Sequence, residues 1–483
     1  MPTDPRGLRE DAPLLDAWLR FCEQPPTPFT IPGHKQRHDL VGDVVAGDVP
    51  LYAGLNTMKL STGVLAEAEA RAARLWGADV ARFSTGGATH TNQALALAVG
   101  GDGGRVVVSR TLHRSLLSGL VLAGLEPVWV RPRIDPATGL PLGVAAEDVA
   151  SVLRENPDVR AVFVGDPSYV GTIGDIGARA EVAHSRDLPL IVDAAWAAHF
   201  GFHPDLPQHA LELGADAIVI SAHKTLPAWS QRALILARTD RIDPARLDAG
   251  VEASATTSPA GAILASIDAS RALLERDGAE LLGQAIAATA AARSALAGVE
   301  GLVIVGGPGT DPLKLTLVLP GTGADGIAVE ADLLRAGIPV EAAERDLIVA
   351  VVTLADTEAS LSALTTAVTA SIERHCGPAR AVVPAAAFGV DPVPVVVPRE
   401  AFFAEHESVP MSAAVGRVCG ELVAPYPPGI PVLAPGEQVT AEAVEALTRA
   451  REAGVRIAYA ADPSLGTLRV LARPDGLRVL ARA

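Results

Sequence analysis

Residues 221–231 contain the side chain best suited to covalent chemistry, Lys224, which lies next to His223. They directly follow residues 215–220, a short apolar run with β-branched side chains that predicts a buried strand. The ends of such strands are where α/β sheets carry their functional residues. Partial burial there would lower the pKa of Lys224 and favour the neutral amine that forms a Schiff base. The alternative is a lysine that merely ends a strand and reaches solvent.

A second apolar run, residues 188–196, places Asp193 at the end of another predicted strand, and a buried carboxylate needs a partner. The segment between Asp193 and Lys224 has the length of one strand crossover, so we expect the two strand ends to be neighbours. A lysine and a carboxylate at adjacent strand ends suit pyridoxal phosphate. The lysine holds the aldehyde, and the carboxylate keeps the pyridine nitrogen protonated so that the ring accepts electrons.

Alternating strands and helices are predicted around these two residues. The glycine-rich turn at residues 85–90 precedes a helical stretch, and the free amides of a helix start can bind an anion, although most Gly-Gly turns are only structural. His113 follows an apolar run at the same expected sheet edge, where it either caps a helix or stacks on a planar cofactor. The pattern predicts an α/β domain with a mostly parallel sheet. Its strands are expected at residues 81–84, 106–109, 127–130, 161–164, 188–193, 215–220 and 233–237.

The composition excludes several classes of protein. The chain has 483 residues, 49% of them hydrophobic, and a net charge of −16, which argues for a globular protein and against binding to a phosphate backbone. Its three cysteines share no spacing typical of metal ligands, so we expect no metal site and a reducing compartment. The first twenty residues are acidic without a long apolar core, and no run of eighteen apolar residues occurs, so we expect neither signal peptide nor membrane span. The expected location is the cytoplasm.

Four regions are predicted along the chain. An N-terminal arm and helix occupies residues 1–65, and a cofactor-binding large domain occupies residues 66–295. A smaller α+β domain follows at residues 296–377, and a proline-rich connector leads into a C-terminal α+β module within residues 378–483. Two copies of Leu-Arg-Val-Leu-Ala-Arg, at residues 468–473 and 477–482, flank a Pro-Asp-Gly turn and predict a β-hairpin.

Seven segments occur in a distinctive order. They are Pro32-Gly-His-Lys, the glycine-rich turn with Asn92-Gln93, His113-Arg-Ser, Asp166-Pro-Ser-Tyr-Val-Gly, Val192-Asp-Ala-Ala-Trp, Ser221-Ala-His-Lys-Thr-Leu-Pro, and Pro425-Tyr-Pro-Pro-Gly-Ile-Pro with Pro435-Gly-Glu. Together, from about Pro32 to about Glu437, they resemble the bacterial ornithine/lysine/arginine decarboxylases. The resemblance implies a pyridoxal-phosphate enzyme with the aspartate-aminotransferase fold, in the short form without a receiver-like N-terminal domain.

The resemblance also implies roles for individual residues. Lys224 would form the Schiff base, Asp193 would contact the pyridine nitrogen, and His113 would stack on the ring, with His223 beside the reacting carbon. Glu437 would lie near the distal cation of the substrate, unless it caps the helix that begins near residue 440. The expected cofactor-binding residues are Lys224, Asp193, His113, Ser221, Ala88, Thr89, Ala195 and Trp196.

The chain departs from the family pattern at several positions. Ala88 stands where a hydroxyl residue is usual, so one phosphate bond must come from elsewhere, with His90 as a candidate. Asn56 stands where an acidic residue is common, and Ala194 and Trp196 replace the frequent Glu and His. None of these changes affects the lysine or the aspartate, so they bear on the identity of the substrate more than on cofactor binding.

The function expected from the resemblance is decarboxylation of lysine, ornithine or arginine to a di- or polyamine precursor by a homodimer or higher homo-oligomer. An aminotransferase or a carbon–sulfur lyase of the same fold is the enzymatic alternative. An aminotransferase would need an arginine in the small domain for the substrate carboxylate, and Arg345 is the obvious candidate, but it lies between two acidic residues. A catalytically silent regulator that retains the fold is the remaining alternative.

Overall fold

The computed structural model describes residues 2–24, 27, 29–49, 55, 63–101, 103–426, 429–473, 477–478 and 480. Asn56 lies outside these residues. The strands are β1 (Val80–Ser84), β2 (Gly104–Ser109), β3 (Leu125–Val130), β4 (Val159–Gly165), β5 (Leu190–Asp193), β6 (Ala217–Ile220), β7 (Ala233–Ala237), β8 (Val303–Val305), β9 (Lys314–Val318), β10 (Ala342–Glu344), β11 (Leu347–Val351), β12 (His406–Pro410), β13 (Ala424–Tyr426), β14 (Arg456–Ala458) and β15 (Thr467–Leu471). The α-helices are α1 (Pro13–Glu23), α2 (His38–Val41), α3 (Gly63–Leu75), α4 (Gly87–Gly100), α5 (Arg114–Ala123), α6 (Ala146–Glu155), α7 (Ile176–His184), α8 (Ala222–Thr225), α9 (Pro244–Ser254), α10 (Gly261–Leu296), α11 (Gly326–Arg335), α12 (Glu358–His375), α13 (Pro398–Phe403) and α14 (Ala441–Glu452).

A seven-stranded sheet forms the centre of the large domain, with strand order β1-β7-β6-β5-β4-β2-β3. The strands from β3 to β6 are parallel, and β7 is antiparallel to both of its neighbours. Apolar runs such as β6 and β7 are buried along their whole length because helices cover both faces of the sheet. The predicted mostly parallel α/β sheet is therefore confirmed.

Helix α10 joins the large domain to the small one and is 36 residues long. It packs against α1 near its start and against α12 farther along. The small domain has a four-stranded antiparallel sheet of order β10-β11-β9-β8, covered by α11 and α12. Strand β10 has only three residues, too few to give a periodic signal in the sequence.

The C-terminal module contains two separate two-stranded sheets, β12 with β15 and β13 with β14. The predicted hairpin between the two Leu-Arg-Val-Leu-Ala-Arg copies is wrong where the structure describes it, because β15 pairs with the distant strand β12. In the second copy, the Leu480 N–H donates to the Val395 carbonyl. Val470 and Leu471 are buried by this arrangement, so long-range packing outweighs the local turn signal.

No helix in the described part of the chain is both long and apolar enough to cross a membrane. Cys22, Cys376 and Cys419 are free thiols.

Candidate active site

The ends of β5 and β6 place Asp193 and Lys224 at one edge of the large sheet. The two strands are parallel neighbours, and Asp193 is the register partner of Val219. Lys224 follows β6 within the short helix α8, and the Ser221 N–H reaches back to the Ala195 carbonyl at 3.4 Å. The expectation that the two strand ends are neighbours is therefore confirmed.

Asp193 is held by a chain of hydrogen bonds that extends to His113. Asn92 donates from Nδ2 to Oδ2 of Asp193 at 2.8 Å, and the Ala195 N–H donates to Oδ1 at 3.2 Å. The same Nδ2 of Asn92 lies 3.0 Å from Oγ of Ser115, which lies 2.8 Å from Nδ1 of His113. Asn92 and Ser115 thus fix the orientation of both the carboxylate and the imidazole.

His113 is the N-cap residue of α5. This confirms one of the two interpretations of this histidine, namely that it caps a helix. Its Nδ1 accepts a hydrogen bond from the Ser115 N–H at 3.3 Å, while the residue remains exposed to solvent. The surrounding protein is nevertheless dense enough for burial to lower the pKa of His113, and Asp193 partly opposes that shift. Capping leaves a ring face open, so the position is compatible with stacking on a planar group.

Lys224 lies half-buried against the indole of Trp196, with Nζ 3.9 Å from the ring centroid. Burial lowers the pKa of Lys224, while the charges of Asp193 and Glu341 act in the opposite direction. A lowered pKa increases the fraction of neutral amine, which is the nucleophilic form. Trp196 also meets Tyr169 edge to face at a centroid distance of 5.5 Å, so its plane is fixed from two sides.

His223 is half-buried, and one side of its ring contacts the turn that precedes β7. Its Nδ1 lies 2.9 Å from the Arg232 carbonyl oxygen and 3.2 Å from the Arg232 backbone nitrogen. Burial and the charge of Lys224 both lower the pKa of His223. These contacts fix the turn between α8 and β7, and they leave Nε2 as the ring atom that can face a reacting carbon.

The start of α4 and the buried groups around α8 form a candidate anion cradle. Gly86 is the N-cap residue of α4 and supplies no side-chain cap, so the backbone near Ala88 and Thr89 has amides to offer. The Gly87 N–H donates to the Gln231 carbonyl at 2.9 Å, which brings the start of α4 next to β7. Several buried atoms in the described residues have no hydrogen-bond partner, and three of them belong to this group: Oγ of Ser221, Oγ1 of Thr225 and Nη2 of Arg232.

Arg232 was missed in the sequence analysis. Its side chain is fully buried, and no ion pair with a carboxylate is found for it among the described residues. Nε donates to the Ile263 carbonyl, and burial lowers the pKa of this guanidinium to about 9. A buried cation without a counterion is costly, which indicates that an anion normally lies beside it. The sequence signal was available, since Arg232 is the charged residue immediately before the apolar run of β7.

His90, the candidate to replace the missing hydroxyl at Ala88, is already fully bonded. Its Nδ1 lies 2.7 Å from Oγ of Ser84, and its Nε2 lies 2.9 Å from the Val251 carbonyl oxygen. The histidine therefore fixes the glycine-rich turn and has no ring nitrogen left for a phosphate. Arg232 and Thr225 are the groups that offer unused donors instead.

Glu437 is not brought into this cluster. Its Oε1 accepts from Nη1 of Arg110 at 2.6 Å, and its Oε2 accepts from Nη2 at 2.9 Å and from the Ala434 N–H at 2.8 Å. Both side chains of the pair are almost completely buried. A contact between Glu437 and a substrate remains a prediction, but the substrate would have to displace Arg110. Glu437 is not a helix cap either, because Thr440 itself caps α14.

The sequence matches two domain families in tandem. Residues 12–305 match the major domain of the Orn/Lys/Arg decarboxylases, and residues 382–455 match their C-terminal domain. The chain belongs to the Orn/Lys/Arg decarboxylase family. As a member of this family, the protein is an amino-acid decarboxylase that acts on a basic amino acid.

Named relatives agree with this assignment. The arginine decarboxylase of Halalkalibacterium halodurans is 31% identical over 489 residues, covering 97% of this chain and 99% of its own length. The lysine decarboxylase of Francisella novicida has the same fold, with a TM-score of 0.81 at 19% identity over 95% of this chain and 80% of that chain. A more distant fold neighbour is SPT with PLP, which has a TM-score of 0.55 at 16% identity and covers 76% of this chain and 85% of that chain.

Proposed function

We propose that this decarboxylase uses pyridoxal phosphate and that its substrate is arginine. The observation that carries the cofactor proposal is the set of buried, unpaired donors beside a lysine of lowered pKa: Ser221, Thr225 and Arg232 around Lys224. A phosphate dianion would satisfy these donors and neutralise the buried guanidinium. The chemistry of the donor set therefore fits the phosphate of this cofactor, and the adjacent amine fits its aldehyde.

Each group around the cradle then has a specific task. Lys224 would hold the aldehyde carbon, and Asp193, oriented by Asn92, would hold a proton on the pyridine nitrogen. Ala195 and Trp196 would line the ring on the side of the sheet, and His113 would cover its other face. The amides near Ala88 and Thr89 would add to the phosphate contacts. Bound pyridoxal phosphate supplies an electron sink when the bond between Cα and the carboxylate breaks.

The protein residues also control protons around the reacting carbon. Lys224 is half-buried with a lowered pKa; it would take up the proton that the substrate's ammonium must lose and could then return that proton to Cα. His223 is the second candidate donor, through Nε2, because its Nδ1 is held by the backbone of Arg232. Burial lowers the pKa of both groups, so neither holds its proton as strongly as it would in water.

Arginine is favoured over lysine or ornithine by the relatives. The arginine decarboxylases match almost end to end, whereas the lysine decarboxylase of Pseudomonas aeruginosa matches only 65% of its own length. A guanidinium at the far end of the substrate needs a carboxylate. Because Glu437 is bonded to Arg110, we propose Glu341 in its place; the charge of Glu341 acts on both Lys224 and Lys314, and the residue is exposed to solvent.

One feature argues against the aminotransferase alternative. Arg345 is the residue that an aminotransferase would need for the substrate carboxylate. Its Nε lies 4.0 Å from Oδ1 of the neighbouring Asp346, and its side chain is largely exposed. Its backbone carbonyl accepts hydrogen bonds from the Gly326 N–H and from Nη2 of Arg380. These bonds hold the turn at Arg345 against the start of α11. A guanidinium in this position is an ordinary surface residue.

We further propose a homodimer in the cytoplasm. The segment 29–44 exposes Phe29, Ile31, Leu40, Val41 and Val44, and such a concentration of exposed apolar side chains is typical of a surface that a partner covers. Sedimentation velocity of the purified protein tests this, and a monomer at micromolar concentration would contradict it.

The function is tested by incubating the purified protein and pyridoxal phosphate with arginine, ornithine and lysine separately, then identifying the amine by mass spectrometry. We expect the guanidino amine from arginine to form fastest. A faster reaction with lysine or ornithine would reassign the substrate. No amine from any of the three would contradict the proposed function.

A further inference from the structure

Lys314 is a buried cation for which the described residues offer no hydrogen-bond or ion-pair partner. It is the first residue of β9 in the small domain and is only 3% exposed. Its Nζ has no hydrogen-bond partner in the part of the chain that the structure describes. An unpaired buried ammonium costs several kcal/mol, so its presence in a strand where any apolar residue would pack requires an explanation.

The acidic residues around Lys314 do not supply a counterion. Asp311 is buried nearby, but its Oδ1 accepts from the Leu313 N–H at 2.9 Å and lies 3.2 Å from Nε2 of His199. Glu341 acts on Lys314 through its charge, yet the two form no ion pair within 4.0 Å. Burial lowers the pKa of Lys314 to about 8, with Asp311 and Glu341 opposing the shift and Lys224 adding to it.

The composition of the chain makes this lysine unusual. Only four lysines, Lys35, Lys59, Lys224 and Lys314, occur among the forty basic residues, and all the others are arginines. Two of the four lie on one aromatic ring. Nζ of Lys224 lies 3.9 Å and Nζ of Lys314 lies 3.6 Å from the centroid of the Trp196 ring. The distance between the two nitrogens therefore cannot exceed the sum of these two distances.

The backbone also makes room for Lys314. Gly171, in the loop after β4, has a φ of +87°, and a Cβ there would come within 2.7 Å of both Cβ and Cγ of Lys314. The glycine therefore lets the stem of the lysine pass between the large and small domains toward Trp196. Its charged end therefore lies on the same indole ring as Lys224, which it reaches from the other domain.

We propose that Lys314, held against Trp196, binds the α-carboxylate of the substrate. This inference rests on the proposed function, because the substrate amine then takes the place of Nζ of Lys224 and its carboxylate lies only two bonds away. The carboxylate is the counterion that Lys314 lacks in the free protein. Trp196 acts as a positioning residue, since its indole face orients both cations.

A lysine suits this task in a decarboxylase better than an arginine would. The guanidinium of arginine grips a carboxylate with two parallel hydrogen bonds, which strongly stabilises the charge that must be lost. The ammonium of Lys314 is a single point charge whose proton is weakly held in this buried site. Lys314 can therefore position the carboxylate and tolerate its departure as neutral CO2.

The test compares two ligands that differ only by the carboxylate. The unchanged protein and its Lys314→Met variant are each loaded with a cofactor analogue that does not allow turnover. Each is then titrated by calorimetry at low temperature, once with arginine and once with the corresponding decarboxylated amine. We expect Lys314→Met to weaken arginine binding by at least about 30-fold, as loss of one partner of a buried charge pair does, and to leave amine binding unchanged. Lys314→Arg should restore a large part of the affinity.

A second readout is the pH dependence of binding. In the unchanged protein, the affinity for arginine should fall relative to that for the amine as the pH rises above about 8, where Lys314 loses its proton. This difference should vanish in Lys314→Met. The ionisable groups near Lys314 are Glu341, Asp311, His199 and Lys224, and all of them are equally present in the amine control.

Two results would overturn the inference. If Lys314→Met weakens both ligands equally, the lysine has a structural role, and if it weakens neither, the lysine does not touch the carboxylate. A failure of the proposed function looks different, because the unchanged protein would then release no amine from any basic amino acid. Met retains the apolar stem and removes only the buried charge, so we expect the variant to fold.

Discussion

The ion pair between Arg110 and Glu437 connects the large sheet to the C-terminal module, and Glu437→Gln is expected to weaken that connection. Arg110 follows β2, lies over the ring of Trp129 at 4.6 Å and bonds both oxygens of Glu437. Both residues are 2% exposed. Removing one charge leaves the other buried without a partner, which costs about 3–5 kcal/mol.

The assay is urea unfolding followed by tryptophan fluorescence. The free energy of unfolding falls by about 1–3 kcal/mol per M urea, so the expected loss of stability should lower the urea midpoint by at least about 1 M. The transition concerned is the one that involves the C-terminal module. The double variant Arg110→Met with Glu437→Leu is the matched control, and it should recover most of the loss because no charge remains buried. KM for the basic amino acid should not change in any of these variants.

The opposite pattern would refute this reasoning. If Glu437→Gln raises KM strongly while the urea midpoint stays constant, Glu437 contacts the distal cation of the substrate as the sequence resemblance implies. Arg110 would then have to release the carboxylate when substrate binds.

Further predictions concern the cofactor residues and pH. Borohydride reduction of the holoprotein, followed by peptide mapping, should attach the cofactor to Lys224, and a label on another lysine would contradict the assignment. Asp193→Asn should retain the cofactor but lower kcat about 100-fold or more, since one charge-assisted contact contributes about 2–4 kcal/mol; near-normal turnover would exclude the role. Arg232→Gln should weaken cofactor binding measured by equilibrium dialysis, and unchanged affinity would leave the buried guanidinium unexplained. Because the pKa of Lys314 is lowered to about 8 from 10.5, the unfolded chain binds more protons between these values, so the apoprotein should gain about 3 kcal/mol of stability as the pH rises through this window. Lys314→Met should remove that gain, and a pH-independent difference between the two proteins would contradict the lowered pKa.

Much of the large domain was predictable because its strands are short, continuous apolar runs. Such runs are typical of parallel strands covered on both faces, and β4, β5 and β6 follow this rule. The tail was mispredicted because a local turn signal was given more weight than partners that are distant in sequence. β15 pairs with β12, about sixty residues earlier in the chain, and no local pattern encodes that choice.

The candidate site was predictable in part for a similar reason. Asp193 and Lys224 each end a recognisable strand, so topology alone placed them together. Lys314 could not be found in this way, because in Leu-Lys-Leu-Thr-Leu it alternates with apolar residues and reads as the outward face of a strand. Its burial arises from the loop at Gly171 and the ring of Trp196, which come from the other domain.

Two stretches of the chain, one before α10 and one after it, meet at the indole of Trp196 and have different functions. The residues proposed to hold the cofactor, from Ala88 to Arg232, all precede α10, whereas Lys314 and Glu341 follow it. Cofactor binding and substrate recognition thus depend on different stretches of the chain. Exchanging the segment after α10 with that of a relative should change which amino acid the enzyme accepts. It should not change the affinity for the cofactor, so α10 is a suitable exchange point for chimeric enzymes.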